Sequence, residues 1–174
     1  MLASLDGFYG SMSQISFTLL GLWWIVVQFK YTDFMRDRRR RIQAYDTSLY
    51  FVLPGIMSLI SLLSSAGVLW RITFVTAALL GAVEAIFLLV TTRRQQGSRV
   101  WRSTHYIGCA LYVLVALFAV LPLADRVAGL KNVKPLQIEG VFLALIVFLG
   151  VQSTWIQFAQ TDQSRGAARR EFIP

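Results

Sequence analysis

The stretch "LYFVLPGIMSLISLLSSAGVLWRITFVTAALLGAVEAIFLLV", residues 49–90, decides the fold because it is too long to cross a membrane only once. As one helix with a rise of 1.5 Å per residue it would reach about 60 Å, roughly twice the thickness of a hydrocarbon core. The chain must therefore fold back within this stretch. The small residues "SSAG" at 64–67 predict the turn of a tight helical hairpin.

Three more apolar runs flank this hairpin, one before it and two after it. Together they predict an all-α polytopic membrane protein with five transmembrane helices and a single domain over residues 1–174. The predicted spans are roughly 12–29, 47–65, 68–91, 104–123 and 138–158. A hydrophobic content of 56% and a mean hydropathy of +0.57 leave no room for a separate soluble domain.

The distribution of arginine predicts the orientation of the protein. Most of the net charge of +8 lies in the links between apolar runs, and links rich in Arg and Lys stay on the cytoplasmic side. The richest segments are "RDRRRR" at 36–41, the link with Arg93, Arg94, Arg99 and Arg102, and the tail with Arg165, Arg169 and Arg170. With five spans these segments share one side, which predicts the N-terminus outside and the C-terminus in the cytoplasm. The small size and tight loops favour a bacterial cytoplasmic membrane.

Several kinds of function are excluded by the composition. Cys109 is the only cysteine, which excludes an intrachain disulfide and a CxxC redox pair. His105 is the only histidine, which excludes bis-histidine haem and a multi-histidine metal site within one chain. The sequence shows no nucleophile–base–acid set and no metal-ligand cluster, so we expect no enzyme, no metal and no cofactor. The positive charge lies in membrane links, so nucleic acid is not an expected partner.

Polar residues align along the first span. The stripe, formed at helical spacings of 3, 4 and 7 residues, consists of Gln14, Thr18, Gly21, Ile25 and Gln28. Trp24 flanks this stripe, and Trp23 points the opposite way. Because an amide in hydrocarbon needs a hydrogen-bond partner, we expect this face to meet protein or water and not lipid.

Glu84 is the only acidic residue predicted to lie deep in the membrane. A carboxylate there is costly unless it is paired, protonated or hydrated, and such residues often coordinate ions, relay protons or gate a path. A structural role is the alternative, in which the protonated carboxyl group binds a neighbouring helix or subunit.

The other spans also present polar or small faces. Span two has a seam of small residues beginning at Pro54, which predicts close helix packing and a kink that is either a hinge or purely structural. Span four carries His105 and Cys109 on one face, where an interfacial anchor and a packing residue are the simplest interpretations. Span five carries a stripe from Glu139 to Gln157.

These faces favour a homo-oligomeric ion channel or small-solute conduit in the lipid bilayer. Five helices of this length enclose little space, so a pore would form more naturally between subunits around a symmetry axis. Neutral amides do not decide the charge of the permeant species. Glu84 and Glu139 favour cations, whereas the arginine-rich links at the inner vestibule favour anions, and the balance leans toward cations. The candidate pore or gate residues are Gln14, Thr18, Trp24, Gln28, Glu84, Glu139 and Gln157, and the candidate hinge is Pro54.

The alternative is a membrane-embedded sensor or anchor that recruits a soluble cytoplasmic partner through its arginine-rich face. The polar tail "QTDQSRGAARREFIP", residues 160–174, is a candidate docking segment. Candidate contacts for anionic lipids or an acidic ligand are Arg36, Arg38, Arg39, Arg40, Arg41, Arg93 and Arg94. Setting the membrane topology is a sufficient role for the same arginines.

Overall fold

The computed structural model describes residues 2–36, 38–63, 68–93, 99–120 and 135–171, and nearly all of them are helical. The helices are α1 (Leu2–Phe29), α2 (Tyr31–Arg36), α3 (Arg38–Leu63), α4 (Val68–Arg93), α5 (Arg99–Val120) and α6 (Pro135–Glu171). Five of these helices are long, and α2 is a short connector of 6 residues. The all-α class predicted from the sequence is confirmed.

Three of the helices are long and apolar enough to cross a membrane. The segments concerned are Leu5–Phe29 of α1, Arg40–Leu63 of α3 and Leu136–Phe158 of α6. A shorter apolar segment, Ser103–Ala119, lies in α5. These segments support a membrane protein, while the five crossings and the orientation stay predictions.

The helices extend beyond the predicted spans in three places. Helix α1 begins at Leu2 and not near residue 12, α3 begins at Arg38 and not near residue 47, and α6 continues to Glu171 and does not end near residue 158. Most of the arginine-rich link and of the polar tail is therefore helical. The predicted limits followed hydrophobic content, whereas Arg, Gln and Ala are strong helix formers that continue a helix into water.

Some predicted features lie outside the described residues. They are the hairpin turn at 64–67, Arg94, and the loop at 121–134. Side chains outside the described part are those of Arg36, Arg39, Arg93, Arg99, Arg102, Arg165, Arg169 and Arg170. The contacts of these groups stay predictions.

Helix α3 lies at the centre of the packing. It contacts α1, α4 and α6, while α5 packs against α4 and α6. Completely buried side chains from four helices form the core, among them Met57, Phe74, Val115, Leu143 and Ile146. Because lipid gives no hydrophobic drive between helices, the close fit of these side chains holds the bundle together.

The described part of the predicted small-residue seam on α3 is buried at Pro54, Gly55, Ser58 and Ser61, and at Gly55 it packs against α1. At Gly55 the helices approach so closely that a Cβ atom would lie 3.1 Å from Cζ of Phe17 and 3.2 Å from Cβ of Ser16. Helix α3 continues through Pro54, which is also buried. A hinge at Pro54 stays a prediction.

Candidate functional site

Hydrogen bonds tie α1 and α6 to the beginning of α3. We call this end of the bundle the arginine end, because α3 begins there with Arg38. Nε1 of Trp23 donates to the carbonyl oxygen of Ala44 over 2.9 Å. Nε2 of Gln157 donates to Oγ1 of Thr47 over 2.5 Å. The first and last helices therefore meet the same two turns of α3.

The opposite end of the bundle has its own hydrogen bond between helices and a buried acidic side chain. Oη of Tyr9 donates to the carbonyl oxygen of Leu136 over 2.6 Å, which joins α1 to α6. Glu139, one turn further along α6, is 0% exposed. Neither of its carboxyl oxygens has a hydrogen-bond partner among the residues that the structure describes. Arg71 of α4 is close enough to attract this carboxyl group.

A buried acid–base pair joins α3 to α5 near the arginine end. Nε2 of His105 lies 2.8 Å from Oδ2 of Asp46, and both side chains are buried. A carboxylate only accepts hydrogen bonds, so Nε2 carries the hydrogen and donates it. This pair links residues 59 positions apart in the chain.

Two tyrosines stand beside this pair. Tyr50 meets the His105 ring edge-on, with centroids 6.5 Å apart, and lies 6.3 Å from the Tyr112 ring. Glycines make room for both rings. A Cβ atom on Gly108 would lie 2.5 Å from Oη of Tyr50, and one on Gly81 would lie 2.7 Å from the Tyr112 ring. These glycines are therefore required by the position of the tyrosines.

Glu84 of α4 completes the group at a small cavity. The cavity has a volume of about 10 Å³ and is lined by Asp46, Leu49, Tyr50, Gly81, Glu84 and Tyr112. Oη of Tyr112 is buried and has no hydrogen-bond partner within the described part of the chain. We call Asp46, Tyr50, Glu84, His105 and Tyr112 the Asp46 cluster. It brings two carboxyl groups, an imidazole and two hydroxyls together between α3, α4 and α5.

The polar stripe of α1 lies on the outer surface of the bundle. Its exposed members are Gln14, Thr18, Gly21, Ile25 and Gln28. The two neighbouring tryptophans separate as the helical period predicts: Trp24 is 42% exposed, and Trp23 is 3% exposed. Within one protomer this stripe has no covering helix among the described residues, so it is open to a second molecule, to water or to lipid.

The structure does not bring the predicted pore residues together. Gln14, Thr18, Trp24 and Gln28 face outward on α1. Glu139 and Gln157 are buried and face the interior of the bundle. Glu84 is half-buried on α4, a helix that packs chiefly on α5 and α3. The candidates therefore occupy an outward stripe on α1, an inward stripe on α6 and the Asp46 cluster.

Sequence reasoning missed Asp46 and gave His105 a smaller role than its contacts indicate. Asp46 lies just before the predicted start of span two, so it was counted with the link and not with the bundle. A signal was present, because Asp46 and Tyr50 are separated by one helical turn and share a face. Which face of α3 meets His105 depends on how each helix is rotated when the helices pack. Helical spacing in the sequence does not give that rotation.

The basic side chains of the arginine end are accessible. Arg38 and Arg41 are exposed, and Arg40 is half-buried. Nζ of Lys30, the residue after α1, lies 4.4 Å from the centroid of the Phe158 ring of α6, which is a cation–π contact. These groups are suitable contacts for anionic headgroups.

The chemistry of the Asp46 cluster suits the binding of protons. No group of three or more His, Cys, Asp or Glu residues placed to hold a metal ion occurs among the described residues. Cys109 is a half-buried free thiol on α5.

No protein-family model, no curated protein and no solved structure matches this chain.

Proposed function

We propose that several copies of this protein assemble in a membrane and form a conduit for ions or small solutes. In this proposal α1 of each copy lines the polar path. The observation that carries it is the outward stripe of α1, where Gln14, Thr18 and Gln28 are exposed on a helix long and apolar enough to span a membrane.

The two amide side chains of the stripe are unfavourable in contact with hydrocarbon. An amide that faces hydrocarbon loses its hydrogen bonds to water, and this costs roughly 2–7 kcal/mol depending on the reference environment. Two amides and a hydroxyl on one face make lipid a poor neighbour. Water or a matching stripe on a second copy satisfies all three groups, and symmetry places equal stripes around one axis.

We propose a preference for cations, controlled by Glu84. The amides and hydroxyls of α1 carry no net charge and set no sign by themselves. Glu84 stands beside Asp46 at the same cavity, which places two acidic groups near the arginine end. Helix α3 lies between α1 and α4 in the packing, so it would transmit a change at Glu84 to the path.

Cysteine cross-linking tests the arrangement of copies. With Cys109→Ala as background, no other cysteine remains in the chain. We expect Thr18→Cys to form a disulfide between copies in the membrane. Ser16→Cys is the matched control, since Ser16 is 0% exposed and lies two residues away on the buried face. Equal cross-linking at both positions, or at neither, would contradict an interface built on the stripe.

Flux through purified protein in liposomes tests the conduit itself. We expect Thr18→Val to reduce flux several-fold, because it replaces a hydroxyl on the path with a methyl group. Thr76→Val is the matched control on α4, where the hydroxyl of Thr76 already donates to backbone oxygen within its own helix. A wild-type protein that is folded and leaks no more than empty liposomes would contradict the proposal.

The sensor or anchor is the second candidate, and the length of α6 favours it. This helix continues from Phe158 to Glu171, 13 residues past its apolar segment, which would extend about 20 Å beyond it. If this helix recruits a soluble partner, a chain truncated after residue 159 would lose the partner but keep its fold. A conduit needs no partner, so the truncated protein would keep its flux.

A further inference from the structure

We propose that Glu84 and Asp46 share one exchangeable proton through a single water molecule, and that loss of this proton opens the conduit. The proton site follows from the geometry of the Asp46 cluster. The effect on the conduit rests on the proposed function, so proton binding and flux are measured separately.

The cavity between α3, α4 and α5 has the size and the lining of a water site. Its volume of about 10 Å³ is close to what one water molecule needs. The side chains of Asp46, Glu84 and Tyr112 line it. Oη of Tyr112 is buried and has no partner among the described residues. Because buried hydroxyls in native proteins are nearly always hydrogen-bonded, we assign the water as the partner of this hydroxyl group.

Because two carboxyl groups line the same cavity, the group that this site binds is a proton. Two carboxylates that share a poorly hydrated site do not both ionise readily, since like charges repel strongly where the dielectric is low. Nε2 of His105 donates to Oδ2 of Asp46, whereas the carboxyl group of Glu84 lines the cavity where the water is assigned. Glu84 is then the resting place of the shared proton.

The exchange step conserves atoms and charge. The O–H bond of Glu84 breaks as the water accepts the proton, and the same water gives one of its protons to the Asp46 oxygen that His105 does not hold. The products are a Glu84 carboxylate, an Asp46 carboxylic acid and an unchanged water. The step moves a proton within the cluster, so the net charge of the cluster is the same before and after it.

The cavity is lined from α3, α4 and α5, and α6 packs on α3 beside it. Helix α3 contributes Asp46 and Tyr50, and α4 contributes Glu84. Helix α5 contributes Tyr112 to the lining and also carries His105 and Cys109. From α6 the neutral amide of Gln157 binds Thr47, the residue after Asp46. Glu84, Asp46 and His105 are the acid and base groups among these, and the carbonyl band of a protonated carboxyl group distinguishes a carboxyl holder of the proton from the imidazole.

Loss of the shared proton places a second negative charge between α3 and α4. Repulsion between Glu84 and Asp46 then favours separation of these helices and entry of more water. Helix α3 also packs on α1, and Trp23 of α1 is bound to Ala44, two residues before Asp46. A movement of α3 would therefore reach the stripe that lines the path.

Infrared difference spectroscopy of the protein in liposomes, between low and high pH, tests proton binding directly. The C=O stretch of a protonated carboxyl group is separate from the bands of ionised carboxylates. We expect one band of a protonated carboxyl group, that of Glu84, to disappear as the pH rises and to be missing at every pH in Glu84→Gln. If Glu84→Gln keeps the band, the proposed site is wrong.

Two further variants complete this experiment. Glu139→Gln removes the buried carboxyl group at the opposite end of the bundle, and we expect it to leave the Glu84 band in place. Tyr112→Phe removes the hydroxyl that holds the water, so the Glu84 band should shift in frequency. An unshifted band in Tyr112→Phe would contradict the water-mediated arrangement, and this variant carries the test if Glu84→Gln does not fold.

Flux at several pH values tests the coupling. We expect wild-type flux to rise with pH and Glu84→Gln to stay at the low level of the protonated state. A band without any wild-type flux would keep the proton site and overturn both the conduit and the trigger. Flux without the band would keep the conduit and overturn the proton site. Flux with the band but without pH dependence would overturn the trigger alone.

Discussion

At the scale of single residues, the contact between Asp46 and His105 is the most informative. Removing one partner of a buried pair leaves the other without compensation for its lost hydration. We expect Asp46→Asn and His105→Gln each to lower the free energy of unfolding by about 3 kcal/mol. The double variant should lose clearly less than the sum. Unfolding in lipid–detergent micelles measures this, with exposed Asp6→Asn as the control; additive losses would contradict the pair.

Gly81 supports a second prediction at this scale. A methyl group there would lie 2.7 to 2.8 Å from three atoms of the Tyr112 ring, so the ring or α4 must move. We expect Gly81→Ala to destabilise the protein by about 1–3 kcal/mol. Gly7→Ala is the matched control, because nothing lies within 4 Å of a Cβ atom at Gly7. Similar melting temperatures for the two variants would contradict the close packing.

Much of the burial of individual residues was predictable from the sequence. Helical spacing correctly separated Trp23 from Trp24, and the predicted stripe from Glu139 to Gln157 is buried along its length. The hydrogen bond between Asp46 and His105, and the meeting of Asp46 and Glu84 at one cavity, were not predictable. Their distances in the chain are large, and the rotation of each helix about its axis is set by packing.

At the scale of helices, the attachment of α1 to α3 is open to test through the two tryptophans. Trp23→Phe keeps an aromatic ring but removes the donor to Ala44, and we expect a loss of about 1 kcal/mol in stability. Trp24→Phe, on the exposed face, should change the stability of the protomer by less than about 0.5 kcal/mol. Thermal unfolding of both variants side by side measures the difference. Equal losses would contradict the attachment.

The existence of the long helices was predictable, whereas several of their ends were not. Helix α4 has the bounds expected of the third predicted span. Helices α3 and α6 continue through charged and polar residues that hydrophobic content assigns to links and tails. The short α2 was also missed, because six residues carry too little periodicity to identify a helix.

At the scale of the whole molecule, the reactivity of single cysteines measures the predicted orientation. In the Cys109→Ala background we expect Ser4→Cys to react with a membrane-impermeant maleimide on intact cells. Ser164→Cys should react only after the membrane is opened, because the arginine-rich segments favour a cytoplasmic C-terminus. Equal reactivity at both positions would indicate an even number of crossings and contradict the five-span arrangement.

The hydrogen bond between Tyr9 and Leu136 forms late in the synthesis of the chain. The two residues are 127 positions apart, so at 5–20 residues per second the acceptor is made roughly 6 to 25 s after the donor. Until then α1 is in the membrane without its hydrogen bond to α6. The contact between α1 and α6 forms only when the last helix is made. In the proposed assembly, a nascent α1 therefore has several seconds in which to contact α1 of another copy.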